Sequence, residues 1–536
     1  MIADNAFQQQ MSETAARFLQ SVVVLDDKVV CDPPSEAANI FRAATGLQEP
    51  TKRNATKASG PIPKTELESG ANGKNGKHRF ELFQVVHGFA VRGVVCGTLN
   101  PLSEDGGNRN AAFQGILKAG KRADIVILDW QINNDKGRMA MELIEELMGA
   151  DSEAHAARRR LILIYTGDDV NDVKDVFDER FGKNFTDRGN APYRERDGFR
   201  VAFLSKPGSS PELPESVDFP ELPEKAIEEF ARMNTGLLSG AVLNGLAAIR
   251  ENTHRILSRF PPELDGAYLA HRAMTMPPQE AESHIGPLLA SELEDVLFGA
   301  GLEDSLSMDV VRRWLEEESG PEDAESIEKV LSEGTEKALP KDISKKELKR
   351  NPHKLTEFIS GASFDDAKNA DEQFAVLTTL RFPSGGEHQM TLGTVVREGD
   401  DNTYWLCITP ACDCVRLIDK QHKLFFLRCQ PAKNGNIHFL IPPEKDDAEY
   451  IPITVGFRIE DGHHWEFEPD PEKQMVLAKP GEGEKSFYFS TTENAKLHWV
   501  AELKPAHALR ITHRFSSMWS RIGVTEAEWL RRRSDL

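Results

Sequence analysis

Four short runs in the first 210 residues are apolar at consecutive rather than alternating positions. They are SVVVLDDK (21–28), ADIVILDW (123–130), LILIYTGDD (161–169) and FRVAFLSKPG (199–208). Each is rich in β-branched residues and each gives way to polar ones. A fifth run, GVVCGTL (93–99), is weaker. Consecutive apolar positions imply burial on both faces, as in a parallel sheet covered by helices on each side. The stretches RFELFQVVHGFAV (79–91), NAAFQGILKAG (110–120) and RMAMELIEELMG (138–149) fit those helices. In the last, Met139, Leu143, Ile144 and Leu147 recur at helical spacing. Strand–helix alternation predicts an α/β domain, a doubly wound parallel sheet of five strands in the flavodoxin-like manner.

Beyond this pattern the chain changes character. Residues 48–78 are rich in Gly, Pro, Lys and Asn and lack aromatics, which reads as a mobile insertion. PGSSPELPESVDFPELPE (207–224) is a proline-punctuated connector. From about Glu224 to Phe260 a stripe of Ile227, Phe230, Met233, Leu237, Ala241, Leu246, Ile249, Ile256 and Phe260 predicts helix. Gly240 and Gly245 mark either a break or a close packing contact. Helical character continues to about residue 370. From about 374, strand runs separated by Gly, Asp and Pro turns predict a small antiparallel barrel or sandwich. These runs include 390–410, 422–429, 436–443, 450–459, 463–469 and 485–491. The tail, 508–533, reads as helix. The expected organisation is a domain over 1–212, a helix-rich region over 213–373, and a β-rich domain over 374–536 ending in a helix.

Composition narrows the function. With 536 residues, a prior of ~150 residues per domain allows three or four domains. A net charge of −21 argues against nucleic-acid backbone binding as the main activity. The N-terminus lacks a basic segment followed by an apolar core, and no apolar run approaches the ~20 residues of a membrane helix. Six scattered cysteines are too sparse for a disulfide framework, so a cytoplasmic protein is expected. Cys407, Cys412, Cys414 and Cys429 could in number hold zinc, but their spacing lacks paired knuckles, and buried apolar roles fit better. The tail is locally basic; a packed helix with a solvated cationic face explains it better than nucleic-acid contact.

The chemistry collects at the carboxyl ends of the strands, where open α/β sheets bind ligands. The first strand ends in Asp26 and Asp27, the third in Asp129, the fourth in Thr166 and Gly167, the fifth in Lys206 and Pro207. In the order 2-1-3-4-5 the three carboxylates become neighbours. Three close carboxylates repel unless a cation joins them. An oxygen-only set that leaves room for water and a phosphate suits Mg²⁺. A carboxylate so placed can attack a phosphoryl group and form an aspartyl phosphate. Lys206 then offers a point charge, and Thr166 a hydroxyl, to the transferring oxygens.

This set resembles the receiver domain of two-component response regulators, over roughly residues 18–210. The resemblance implies that Asp129 is the phosphoacceptor and also a metal ligand, with Asp26 and Asp27 as the metal-binding acidic pair. It implies that the backbone carbonyl of Gln131 completes the metal ligands and that Thr166 is the switch hydroxyl. Lys206 matches the phosphate-binding lysine and Pro207 the usual cis-proline. Phe203 matches the aromatic that changes rotamer on activation, and Gly137 the glycine after the acceptor strand. The sequence departs from the family in the long interval between Asp27 and Asp129, in the long stretch between Thr166 and Lys206, and in DWQINND, which lacks the proline that usually follows the acceptor. A haloacid-dehalogenase-like phosphatase uses similar residues in another order; here the acidic pair comes first, and Asp129-x-Gln131 lacks that family's second acid.

The implied activity is phosphoryl acceptance from a sensor histidine kinase with Mg²⁺, not an independent enzymatic turnover. Less specifically, the chain resembles the large receiver proteins of bacterial phage-defence two-component operons of the Detocs type. The cues are the insert-bearing receiver, LLSGAVLNGLAAIRENTHRIL (237–257) and ITPACDCVRL (408–417). That resemblance implies a buffer of phosphate flow, shared with a second receiver-effector protein. A homodimer, a silent receiver acting as a scaffold, and a catalytic centre within 374–536 are the further alternatives.

Overall fold

The computed structural model describes residues 6–27, 82–100, 109–153, 158–186, 191–196, 198–209, 216–276, 278–318, 321–340, 343–381, 387–399, 403–418, 421–432, 436–443, 449–481 and 486–519. The expected insertion at 48–78 and the tail beyond residue 519 lie outside the described residues. The chain divides into two compact units, the first comprising 1–257 with 292–314 and the second 258–291 with 315–536.

The first unit is built on a six-stranded sheet. In chain order its elements are α1 (Ala6–Phe18), β1 (Ser21–Leu25), α2 (Leu82–Val91), β2 (Val95–Leu99), α3 (Arg109–Arg122), β3 (Ile125–Leu128), α4 (Arg138–Glu153), β4 (Arg160–Thr166), α5 (Val170–Phe181), β5 (Tyr193–Arg196), β6 (Phe199–Ser205), α6 (Leu222–Arg232) and α7 (Leu237–Ser258). The strand order is β2-β1-β3-β4-β6-β5, parallel throughout except that β5 runs antiparallel to β6 at the edge. The five expected strands thus stand in the order 2-1-3-4-5, and a sixth is added. That hairpin occupies part of the long stretch between Thr166 and Lys206. Its strand, YRER, carries three charges and no aliphatic run, which is why burial patterning passes over it; Gly198, at φ +83°, makes the turn.

The continuous apolar runs are explained by two cores, one on each face of the sheet. Val22 and Val24 of β1, Ile125 and Ile127 of β3, and Leu161 and Leu163 of β4 face Phe7 and Met11 of α1, Phe89 of α2, and Leu222, Ile227 and Phe230 of α6. Val23 and Leu25, Val126 and Leu128, and Ile162 and Ile164 face Leu117 of α3, Leu143 and Leu147 of α4, and Phe177 of α5. The predicted helix 224–260 is two helices, broken at Met233–Gly236. Gly240 and Gly245 lie within α7 as close contacts: a Cβ on them would stand 2.8 Å from Met11 Sδ and 3.1 Å from Leu297 Cδ2. Arg250 pins α7 to the amino-terminal edge of the sheet. Its Nη1 and Nη2 donate to the Asp124 carboxylate at 3.0 and 2.9 Å, and Nη1 donates to the Phe18 carbonyl at 2.7 Å.

Helices α8 (Asp265–Met274), α9 (Ile285–Gly299), α10 (Met308–Glu318), α11 (Pro321–Glu333), α12 (Lys345–Arg350), α13 (His353–Ser360) and α14 (Phe364–Thr379) continue the chain. The second unit's sheet then follows with β7 (Leu380–Arg381), β8 (Thr394–Glu398), β9 (Tyr404–Cys407), β10 (His422–Pro431), β11 (Phe439–Ile441), β12 (Ile451–Val455), β13 (Gly462–Phe467), β14 (Lys479–Pro480), β15 (Phe487–Ser490) and β16 (Lys496–Leu503), closed by helix α15 (Pro505–Trp519). All its strand pairs are antiparallel, as expected. The strand runs read from the sequence omit β16, the eight-residue strand that joins β15 to β8 and also pairs with β7. Cys407 and Cys414 lie in the core on one face of this sheet and Cys429 in the core on the other.

Candidate functional site

Asp26, Asp129 and Lys206 are each the first residue past the end of a strand, and the ladder carries each into place. The Asp129 N–H donates to the Leu25 carbonyl at 2.8 Å, and the Lys206 N–H to the Thr166 carbonyl at 2.7 Å. Because β1 lies between β2 and β3, the ends of β1 and β3 adjoin. One carboxylate oxygen from each of Asp26, Asp27 and Asp129 falls within 4.8 Å of the others. Asp26 and Asp129 are buried and Asp27 is half-buried. Lys206, from two strands away, reaches across them: its Nζ donates to Asp26 Oδ2 at 2.7 Å and stands 3.1 Å from Asp129 Oδ1. Only 2 % of the Lys206 side chain is exposed.

Burial favours a neutral amine at Lys206, but Asp129 and Asp26 outweigh it and the net effect raises the Lys206 pKa. The lysine therefore stays a cation and offsets part of the carboxylate charge. Three carboxylates against one ammonium leave the cluster negative, with only oxygen donors facing one another. Among the described residues this is the one group of three or more potential metal ligands. Its donor chemistry fits a hard divalent cation.

Thr166 is fully buried at the end of β4, and its Oγ1 accepts from the Asp168 N–H at 3.0 Å. Gln131 sits in the turn after Asp129. Its side-chain amide donates to Asp168 Oδ2 at 2.7 Å, and its Oε1 accepts from the Lys136 N–H at 3.3 Å. Asp168 thus belongs to the polar surroundings of the site. The sequence signal was there, in the acids directly following Thr166–Gly167, but a strand-end rule stops at the threonine. Tyr165 is a second neighbour that sequence reading passes over. Its ring centre lies 5.5 Å from Lys206 Nζ, and its hydroxyl donates to the Val217 carbonyl at 2.6 Å.

The turn from β3 to α4 is held by packing. Trp130 is buried, and Gly137, at φ +78°, passes so close that a Cβ there would lie 2.3 Å from the indole. Asp135 caps α4, accepting from the N–H groups of Gly137 at 3.1 Å and Met139 at 2.8 Å. Phe203 is buried on the α5 face, its ring meeting Phe177 edge-on at 5.4 Å. Pro207 directly follows Lys206, within a turn in which the Ser209 N–H donates to the Lys206 carbonyl at 3.2 Å. The structure thus brings Asp26, Asp27, Asp129 and Lys206 into one cluster. Thr166, Gln131 and Pro207 stand on the adjoining strand end and turns, and Phe203 lies one layer below.

No curated protein and no solved structure matches the chain. A family model described as a response receiver domain matches residues 18–211, the span from β1 through β6 that carries every one of these side chains. Residues 18–211 of this chain are a response receiver domain, the module of phosphorelay signalling.

Proposed function

We propose that Asp129 accepts a phosphoryl group from a sensor histidine kinase. The observation that carries this reading is the Lys206 bridge to Asp26 and Asp129, at 2.7 and 3.1 Å, beside Asp27. An Asp129 carboxylate oxygen attacks phosphorus in line, the bond from phosphorus to the donor's imidazole nitrogen breaks, and the imidazole leaves with that electron pair. Asp26, Asp27, Asp129 and the Gln131 carbonyl would hold Mg²⁺, which when bound neutralises charge on the phosphoryl oxygens. Lys206 keeps its proton and pairs with a phosphoryl oxygen. The Thr166 hydroxyl, hydrogen-bonded to the Asp168 N–H in the structure, turns to donate to another. Movement of Thr166 opens space towards Phe203, whose ring touches α5, so the strand end and α5 shift together.

In this reading the protein is not itself an enzyme. It switches protein contacts or buffers phosphate, exchanging with a second receiver-effector protein in a phage-defence pathway. The test is incubation with Mg²⁺ and acetyl phosphate or a cognate kinase, then mapping of base-labile phosphate. Label on Asp129 that is lost in Asp129→Ala and with chelator supports the proposal. No label, or label unchanged in Asp129→Ala, leaves a silent receiver acting as a scaffold.

A further inference from the structure

Helix α15 is a cationic element in an acidic chain. Its sequence, PAHALRITHRFSSMW, contains no acidic residue, although the chain has 86. Ala508, Ile511 and Phe515 pack into the core of the second unit. Arg510 and Arg514, one turn apart, lie on the exposed side. Among the described residues neither meets a carboxylate. Arg510 Nη2 lies 3.0 Å from His507 Nδ1, and Arg514 Nη1 lies 3.3 Å from His438 Nε2, with the Arg514 guanidinium over the Phe457 ring.

The two histidines differ in one respect that matters. His507 Nε2 lies 3.0 Å from the His438 carbonyl, so it donates there and leaves Nδ1 to accept from Arg510. That arrangement is balanced. At His438 the Val455 N–H donates to Nδ1 at 3.0 Å, so Nδ1 carries no proton and the neutral ring must carry it on Nε2. An Arg514 N–H therefore points at an imidazole N–H: two donors converge and, among the described residues, nothing accepts. Protonating His438 makes matters worse, because it sets a second N–H against Val455 and a cation beside two arginines. An oxygen acceptor placed against both groups resolves the conflict.

We infer that this corner, formed by α15 with His438 just before β11 and Phe457 just after β12, binds a phosphate group. Arg514 and the His438 Nε2–H donate to it, and Arg510 supplies the second positive charge. Two guanidinium charges and a neutral donor match a dianion with several acceptor oxygens better than they match a monoanionic carboxylate. The site lies in the second unit and does not depend on the phosphoryl chemistry proposed for Asp129.

The test uses the full chain labelled with ¹³C in its histidine rings, with His438 assigned through His438→Gln. At neutral pH its ring signals should report the Nε2–H tautomer. Inorganic phosphate, titrated without Mg²⁺ at constant ionic strength, should shift them saturably, and acetate should do so much more weakly. Arg514→Gln, a change at an exposed side chain, should weaken phosphate binding by about tenfold or more. The Nδ1–H tautomer, the absence of a saturable phosphate shift, an equal response to acetate, or an unchanged response in Arg514→Gln would each overturn the assignment.

Discussion

Lys206 shows how a single side chain can decide what a cluster of acids is able to do. Buried alone, its ammonium would be driven towards neutrality; beside Asp26 and Asp129 its pKa moves up instead. Its stabilising contribution is therefore fully present below about pH 10.4, the unfolded value, and is lost only as pH rises through the higher folded value. Replacing it leaves two buried carboxylates uncompensated, which costs far more than the pair itself is worth. Lys206→Met should lower stability by about 3 kcal/mol or more, read from urea unfolding at pH 7.5. Added Mg²⁺ should restore part of that loss, because a cation can take over the neutralising role. Phosphate incorporation at Asp129 should fall even with Mg²⁺ present, since in the proposed reaction Lys206 also pairs with the transferred oxygens.

At the scale of elements, the site depends on turns as much as on strands. The strand ends set the positions of Asp129, Thr166 and Lys206, but the turn after β3 is fixed by Trp130 packed against Gly137. Gly137→Ala adds a Cβ at a positive φ and at 2.3 Å from the indole, so either the ring or the turn must move. The expected cost is about 2 kcal/mol or more, seen as a lower Tm. Labelling of Asp129 should slow as well, because Trp130 is its immediate neighbour. The same dependence on neighbours holds for α6, which begins beyond the family match yet supplies Leu222, Ile227 and Phe230 to the core beneath β1, β3 and β4. Burying three such side chains is worth about 1.5–3 kcal/mol each, together comparable to a whole domain's stability. A fragment ending at residue 212 should therefore fail to give a cooperative thermal transition.

At the scale of the whole molecule, the two units respond to pH through different groups. In the second unit burial lowers the pKa of His388, His438 and His507, with nearby Arg514 and Arg510 adding to the effect at His438 and Arg510 at His507. A depressed histidine contributes stability that is present above the unfolded value of about 6.5 and lost as pH falls towards the folded value. Trp405, Trp465 and Trp499 lie in this unit's sheet and report on it by fluorescence. Their urea midpoint should drop between pH 7.5 and 5.5. An unchanged midpoint would mean that these histidines titrate normally in the folded state.

The sequence by itself determined the receiver sheet, because strands buried on both faces must be written as unbroken apolar runs. It also placed Asp26, Asp27, Asp129, Thr166 and Lys206 at strand ends, because a buried run gives way to polar residues where the strand leaves the core. It could not reveal β5, whose charged residues lie at a sheet edge where burial does not constrain composition. Nor did burial patterning pick out β16. Only the tertiary structure decided that Lys206 bridges Asp26 and Asp129, that Gln131 and Asp168 join across neighbouring turns, and that α1 and α6 complete the receiver core. The physical reason is the same in each case. Burial leaves its mark on composition one residue at a time, whereas a hydrogen bond or ion pair between distant residues leaves none until the chain has folded.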